Sequence, residues 1–154
     1  MVRTSLIAVT KDRVEMVQKA LPSWRELKGN EEELIVVDGD SKDGTYELLK
    51  KEEGKLVDLL IHEPDRSEAE ALNKGFLKAR GIIIKIITDD DIYYSKALEK
   101  AYDTMIEYPG IDILITGGVR ALVDEDGVIG KVINYQWLDE KSSINSIESL
   151  IGIC

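Results

Sequence analysis

A mainly parallel α/β sheet with helices on both faces is the fold class this sequence predicts, and three observations predict it. Short apolar runs recur with little polar alternation, as strands covered on both faces require. Segments of helical period lie between them, and this alternation belongs to a doubly wound sheet. Aspartate-rich clusters follow the runs, at the chain positions where open α/β sheets bind ligands.

The elements follow in order. Leu6–Val9 reads as the first strand. Val14, Val17 and Leu21 then share a helical face, and Asp12 with Glu15 has the spacing of a capping box. Leu34–Val37 is the second strand, and Asp43-Gly44-Thr45 starts the next helix. Leu56–Ile61 is the third strand. Asp65 and Glu68 again have capping-box spacing before the stripe Ala69, Leu72, Phe76 and Ala79. Ile82–Ile87 is the fourth strand. Leu98, Ala101, Tyr102, Met105 and Ile106 form a stripe ended by Tyr108-Pro109-Gly110, and Ile111–Ile115 reads as a fifth strand. Val119–Val123 and Val128–Ile133 flank Asp124-Glu125-Asp126-Gly127 as a small β-hairpin near the C-terminus. Residues 1–154 are read as one domain: 1–115 as a nucleotide-type α/β part, 116–154 as the start of another part, cut short.

Composition narrows the function. Thirty acidic residues against 20 basic give a net charge of −10, which argues against a nucleic-acid partner, since phosphate neutralisation needs clustered Lys and Arg. The single cysteine, Cys154, permits no intrachain disulfide, and with no signal peptide in evidence a reducing, cytoplasmic setting is expected. The longest apolar run, Ile82–Ile87, contains Lys85 and is too short to be a transmembrane segment. Peripheral membrane association of a longer product and a homo-oligomer are both compatible with this composition.

Three polar clusters end strands: Thr10-Lys11-Asp12, Asp38–Asp43 and Thr88-Asp89-Asp90-Asp91. Three adjacent carboxylates repel one another, and a bound Mg²⁺ or Mn²⁺ would relieve that, bridging to substrate phosphates. The competing reading is an exposed acidic turn in which Asp91 caps the following helix. Val36–Thr45 fails as an EF-hand loop, because its fifth and sixth places from Asp38 are Lys42 and Asp43. Asp38 and Asp40 supply the Asp-x-Asp of a haloacid dehalogenase phosphatase, but the acidic run then precedes the strand that should carry the Ser/Thr. A plain turn with Ser41 or Asp43 as N-cap stays open. Gly75 is read as close helix–sheet packing. Arg66 is either a diphosphate contact or a surface ion pair, His62 is read as structural, and Trp24 and Trp137 as packing residues.

Together the clusters resemble glycosyltransferase family 2, whose members have the GT-A, Rossmann-like nucleotide-diphospho-sugar transferase fold. Glu33–Thr45 looks like that family's "VDxGSxDGT" segment. Glu63–Gly75, ending in Ala71-Leu72-Asn73-Lys74-Gly75, is similar to its "A-[LM]-N-x-G" helix. Thr88–Asp91 stands in the place of its DxD metal motif. The resemblance spans residues 4–93 and implies a site for a UDP- or GDP-sugar. It implies Val9, Thr10, Asp38, Gly39, Asp40, Arg66, Asn73, Asp89 and Asp90 as nucleotide-sugar contacts, and Asp90 with Asp91 as ligands of Mn²⁺ or Mg²⁺. The chain departs from the family at Val9 for Pro, Asp12 for Asn, Gly39 for Asp, Asp40 for Gly and Thr88 for Asp. No catalytic base is identified in Val132–Cys154, and the acceptor is unknown.

The expected function is therefore transfer, with inversion, of a sugar from a nucleotide diphosphate to an acceptor hydroxyl, this chain carrying mainly the donor half. A nucleotide-binding domain without turnover is the alternative. A sugar-phosphate nucleotidyltransferase is disfavoured, since Ala8–Arg13 has no glycine for a phosphate loop.

Overall fold

The computed structural model describes residues 1–91, 93 and 95–115, together with the backbone of two strands, Gly118–Val123 and Ile129–Tyr135. The chain divides into two compact units, Met1–Ile106 and Glu107–Cys154. In the first, strands β1 (Thr4–Thr10), β2 (Glu32–Asp38), β3 (Leu59–His62) and β4 (Ile83–Ile87) alternate with helices α1 (Val14–Leu27), α2 (Thr45–Glu52), α3 (Glu68–Phe76) and α4 (Ser95–Glu107). All strand pairs are parallel, in the order β3-β2-β1-β4. In the second, β5 (Gly118–Val123) and β6 (Ile129–Tyr135) pair antiparallel; the expected turn between them, with Trp137 and the tail to Cys154, lies outside the described residues. No helix among the described residues is long and apolar enough to cross a membrane.

Period-two alternation assigns the two faces of the sheet. On one, Leu6, Ala8, Leu34, Val36 and Ile87 meet Val17, Leu21, Trp24 and Leu27 of α1 and Leu49 of α2 in a buried cluster. On the other, α3 approaches so closely that a Cβ at Gly75 would lie 2.6 Å from Ile7 Cγ2, with Val37 Cγ2 at 3.5 Å. Glycine at that position is thus explained by helix–sheet packing.

Several expectations are corrected. The buried face of α3 is Ala71 and Gly75, while Ala69 and Phe76 are exposed. Small residues win there because only they let the helix axis reach the sheet. The third strand begins at Leu59 rather than Leu56. The amides of Lys55, Leu56 and Val57 all donate to Glu52 O, so Leu56 and Val57 enter the core from a turn around Gly54, whose φ is +77°. Ile111–Ile115 forms no strand, and Ile113 and Ile115 are exposed. An apolar run becomes a strand only when an edge supplies its backbone partners, and none among the described residues does.

The helix starts also differ. Asp65 does not cap α3; Ser67 does, accepting from Glu70 N–H at 3.2 Å. Asp12 does not cap α1, whose N-cap is Arg13 without a side-chain cap of its own. The donors there go to a distant loop: Val14 N–H to Asp43 Oδ2 at 2.9 Å and Arg13 N–H to Thr45 Oγ1 at 3.0 Å. For α2 the N-cap is Gly44 at φ +100°, rather than Ser41 or Asp43.

At the amino edge of the sheet a buried carboxylate ties strands together. Glu33 accepts from Ser5 Oγ at 2.6 Å, Arg80 N–H at 2.7 Å and Arg80 Nε at 2.8 Å. Burial alone would raise its pKa, but the bonds from Ser5 and Arg80 outweigh that and hold it below the ordinary glutamate range.

Candidate functional site

The strand order creates one switch point. The chain steps outward from β1 through β2 to β3, then returns to β4 on the far side of β1. Ligands of open α/β sheets sit at the carboxyl ends flanking such a reversal. Here those ends are Thr10, which closes β1, and Thr88-Asp89, which follows β4. Trp24, fully buried, fixes the second of them by donating its indole N–H to Thr88 O at 3.1 Å.

The three polar clusters meet there, joined through the loop after β1. Thr10 Oγ1 donates to Asp89 Oδ2 at 3.3 Å, and Arg13 Nε lies 2.9 Å from the same oxygen. Arg13 Nη2 reaches Asp90 Oδ2 at 3.6 Å. On the other side, Asp12 N–H donates to Ser41 Oγ at 2.8 Å, and Lys42 N–H to Asp12 Oδ1 at 2.7 Å. Gly39 N–H donates to Thr10 O at 2.9 Å. A side chain at Gly39 would collide with Asp65, so the loop from β2 lies tight against the segment before α3.

The two acidic clusters differ in how their charges are met. Asp38 is fully buried and accepts from Ser41 N–H at 3.1 Å, from Ser41 Oγ, and from His62 Nδ1 at 2.5 Å. The His62 ring stacks on Tyr46 with centroids 3.9 Å apart. Asp40, at φ +66°, is half-exposed, and its pKa is lowered chiefly by the hydrogen bond from Lys42 Nζ at 2.5 Å. Asp43 is lowered by the bond from Thr45 Oγ1 at 2.5 Å and by the Val14 amide. In the other cluster the carboxylates diverge. Asp89 points inward to Thr10 and Arg13. Asp91 accepts from Tyr93 OH at 3.2 Å, a phenol whose pKa burial pushes up. The Asp90 side chain is 55% exposed, with Arg13 at 3.6 Å.

Among the expected site residues, the structure brings Thr10 and Asp89 into contact, with Asp90 joined to them through Arg13. It seats Gly39 beside Thr10 and buries Asp38 beneath the loop, with Asp40 above it. Val9 is half-buried on β1. Arg66 is not brought to the acidic run; its side chain is 91% exposed and paired with Glu70 at 2.8 Å. Asn73 is exposed on α3, and among the described residues its side chain bonds to neither acidic cluster. Arg13, not Arg66, is the guanidinium beside the acidic run. Sequence reading missed it because nothing in the spacing aims a side chain at residues 76 positions away. Ser41 was visible only as a possible cap, and His62, read as structural, is indeed bonded to buried Asp38.

Among the described residues no group of three or more His, Cys, Asp or Glu converges as a metal cage. The donor set fits something simpler: a hard cation held by one or two carboxylates and completed by substrate phosphates and water. Of the three aspartates, Asp89 is buried while Asp90 and Asp91 are exposed.

Residues 5–142 match the model of Glycosyl transferase family 2. The chain belongs to that family. Over 152 residues it is 26% identical to poly-β-1,6-N-acetyl-D-glucosamine synthase of Staphylococcus epidermidis, covering 96% of this chain and 36% of that one. Among solved structures, it is similar to the mannosyltransferase PcManGT of Pyrobaculum calidifontis in complex with GDP-Man and Mn²⁺. The TM-score is 0.59 and the identity 25%, over 67% of this chain and 32% of the other. TarS 1–349 of S. aureus in complex with UDP-GlcNAc shares the fold, with a TM-score of 0.61 at 17% identity over 79% of this chain and 40% of that one. This family 2 chain therefore spans about a third of the length of these relatives. The GT-A-like arrangement of a four-stranded parallel sheet with four helices is the one that the motif resemblance implies.

Proposed function

We propose that this chain binds the nucleotide-diphosphate sugar of an inverting, divalent-metal-dependent transfer to an acceptor hydroxyl, and that it constitutes mainly the donor side. The observation that carries this reading is the meeting of Thr10 and Arg13 with Asp89 and Asp90 at the switch point of the sheet. The complex of PcManGT with GDP-Man and Mn²⁺ supports both the donor class and the cation.

In this reading Val9, Thr10 and Gly39 line the nucleoside pocket. Asp40 faces the base or ribose, because Asp38 is buried with both oxygens bonded to Ser41 and His62. Asp90, with Asp91 beside it, would hold the divalent cation. A bound divalent cation would supply positive charge to the diphosphate as the leaving group. The acceptor oxygen forms a bond to the anomeric carbon while the bond from that carbon to the diphosphate breaks, and the acceptor proton passes to a base outside the residues assigned here.

The test is calorimetric titration of UDP and GDP with and without Mn²⁺, on the unsubstituted chain and on Asp90→Ala. Metal-dependent binding that Asp90→Ala abolishes is the expected result. Its absence in the unsubstituted chain defeats the donor-site reading. Binding with neither transfer nor hydrolysis of the sugar would select a second reading, nucleotide binding without turnover.

A further inference from the structure

We infer that Arg13 is the resident cation of the Asp89–Asp90 site, and that it must leave before a divalent metal can bind there with the diphosphate. This rests on the donor-site reading above. Arg13 Nε at 2.9 Å from Asp89 Oδ2 and Nη2 at 3.6 Å from Asp90 Oδ2 put one guanidinium between the two carboxylates. A metal–carboxylate bond of about 2.0–2.2 Å draws a cation into that same space, and two cations there repel.

The Arg13 backbone is fixed by neighbouring groups, whereas its side chain is held by the two aspartates. Its N–H is bonded to Thr45 Oγ1 at 3.0 Å, its carbonyl accepts from Val17 N–H at 2.9 Å, and the next amide is held by Asp43 at 2.9 Å. The side chain itself is 43% exposed. Asp89 is nearly buried, and Arg13 is its only cationic partner among the described residues. Loss of Arg13 without replacement would strand a charge, so departure of the guanidinium and arrival of another cation are coupled. The consequence is order: metal alone competes poorly with Arg13, whereas metal together with a diphosphate brings both a replacement for Asp89 and Asp90 and an anionic partner for the freed guanidinium.

The experiment measures Mn²⁺ affinity by electron paramagnetic resonance, with and without UDP, on the unsubstituted chain, Arg13→Gln and Lys11→Gln. Arg13→Gln should tighten nucleotide-free Mn²⁺ binding about tenfold, the loss of one charge-assisted pair. It should also reduce the enhancement of Mn²⁺ binding by UDP. Lys11→Gln removes one charge from the same loop outside those pairs, and should change Mn²⁺ affinity less than about threefold. Unchanged or weaker Mn²⁺ binding in Arg13→Gln, or an equal effect of Lys11→Gln, overturns the inference while leaving the donor site standing. Failure of the unsubstituted chain to bind Mn²⁺ with UDP overturns both. Should Arg13→Gln not fold, the unsubstituted chain still decides through the Arg13 Nε–Hε resonance. It should shift on adding Mg²⁺ with UDP, and no shift at saturating Mg²⁺ and UDP overturns the inference.

Discussion

Asp38–Asp43 and Asp89–Asp91 look alike as sequence, each an aspartate-rich turn after an apolar strand, yet they are built in opposite ways. The first is largely closed: Asp38 is spent on Ser41 and His62 and Asp43 on Thr45 and Val14, which leaves only Asp40 half-exposed beside Lys42. It staples the β1–α1 loop and sets the backbone of Arg13. The second is open, with Asp90 solvent-facing and the partly exposed Arg13 as its counter-charge. A cluster whose charges are consumed internally holds shape; one whose charges diverge can accept a ligand.

That contrast breaks if stability and binding do not separate. Asp38→Ala should cost about 3 kcal/mol in urea unfolding, since it leaves the Ser41 amide and the His62 ring without their buried acceptor. Glu33, a closed carboxylate at the opposite edge, sharpens the comparison. Glu33→Gln should cost about 2 kcal/mol at neutral pH, the partly exposed Arg80 moderating the loss. Because the folded-state pKa of Glu33 lies below its unfolded value near 4.5, its contribution is full above that pH and is lost as pH falls through the folded value. Stability of Glu33→Gln should accordingly fall less steeply than that of the unsubstituted chain below about pH 4.5 in acid titration followed by circular dichroism.

Smaller effects follow. Thr45→Val removes the acceptor of the Arg13 amide and should cost about 1 kcal/mol in the same urea assay. Asp90→Ala should change stability by no more than about 0.5 kcal/mol while eliminating metal-dependent nucleotide binding. Should Asp90→Ala destabilise the chain more than Asp38→Ala, the assignment of one cluster to shape and the other to ligand is wrong.

Much of this was legible because it depends on local pattern. Short, mostly apolar runs gave four parallel strands, and Val17 and Leu21 gave part of the buried face of α1. Gly75 announced a close helix–sheet contact. The misreadings share a cause: they concern partners distant in sequence. Asp12 and Asp65 have the spacing of caps, but the donors they would satisfy are met by Asp43, Thr45 and Ser67. The stripe assigned to α3 is apolar, yet size rather than polarity chose the face that meets Ile7 and Val37. Ile111–Ile115 has a strand's composition without a strand's partner among the described residues.

The sequence by itself determined the class of sheet, the carboxyl ends where chemistry belongs and the resemblance to family 2, because periodicity and motif spacing are properties of neighbouring residues. Only the tertiary structure decided that Arg13 rather than Arg66 stands at the acidic run, and that Asp38 is buried while Asp40 and Asp90 remain open. Those outcomes depend on the parallel register that sets Thr10 beside Asp38 on one side and brings the end of β4 alongside β1 on the other. Register is fixed by the packing of the whole sheet, and no short stretch of the chain contains it.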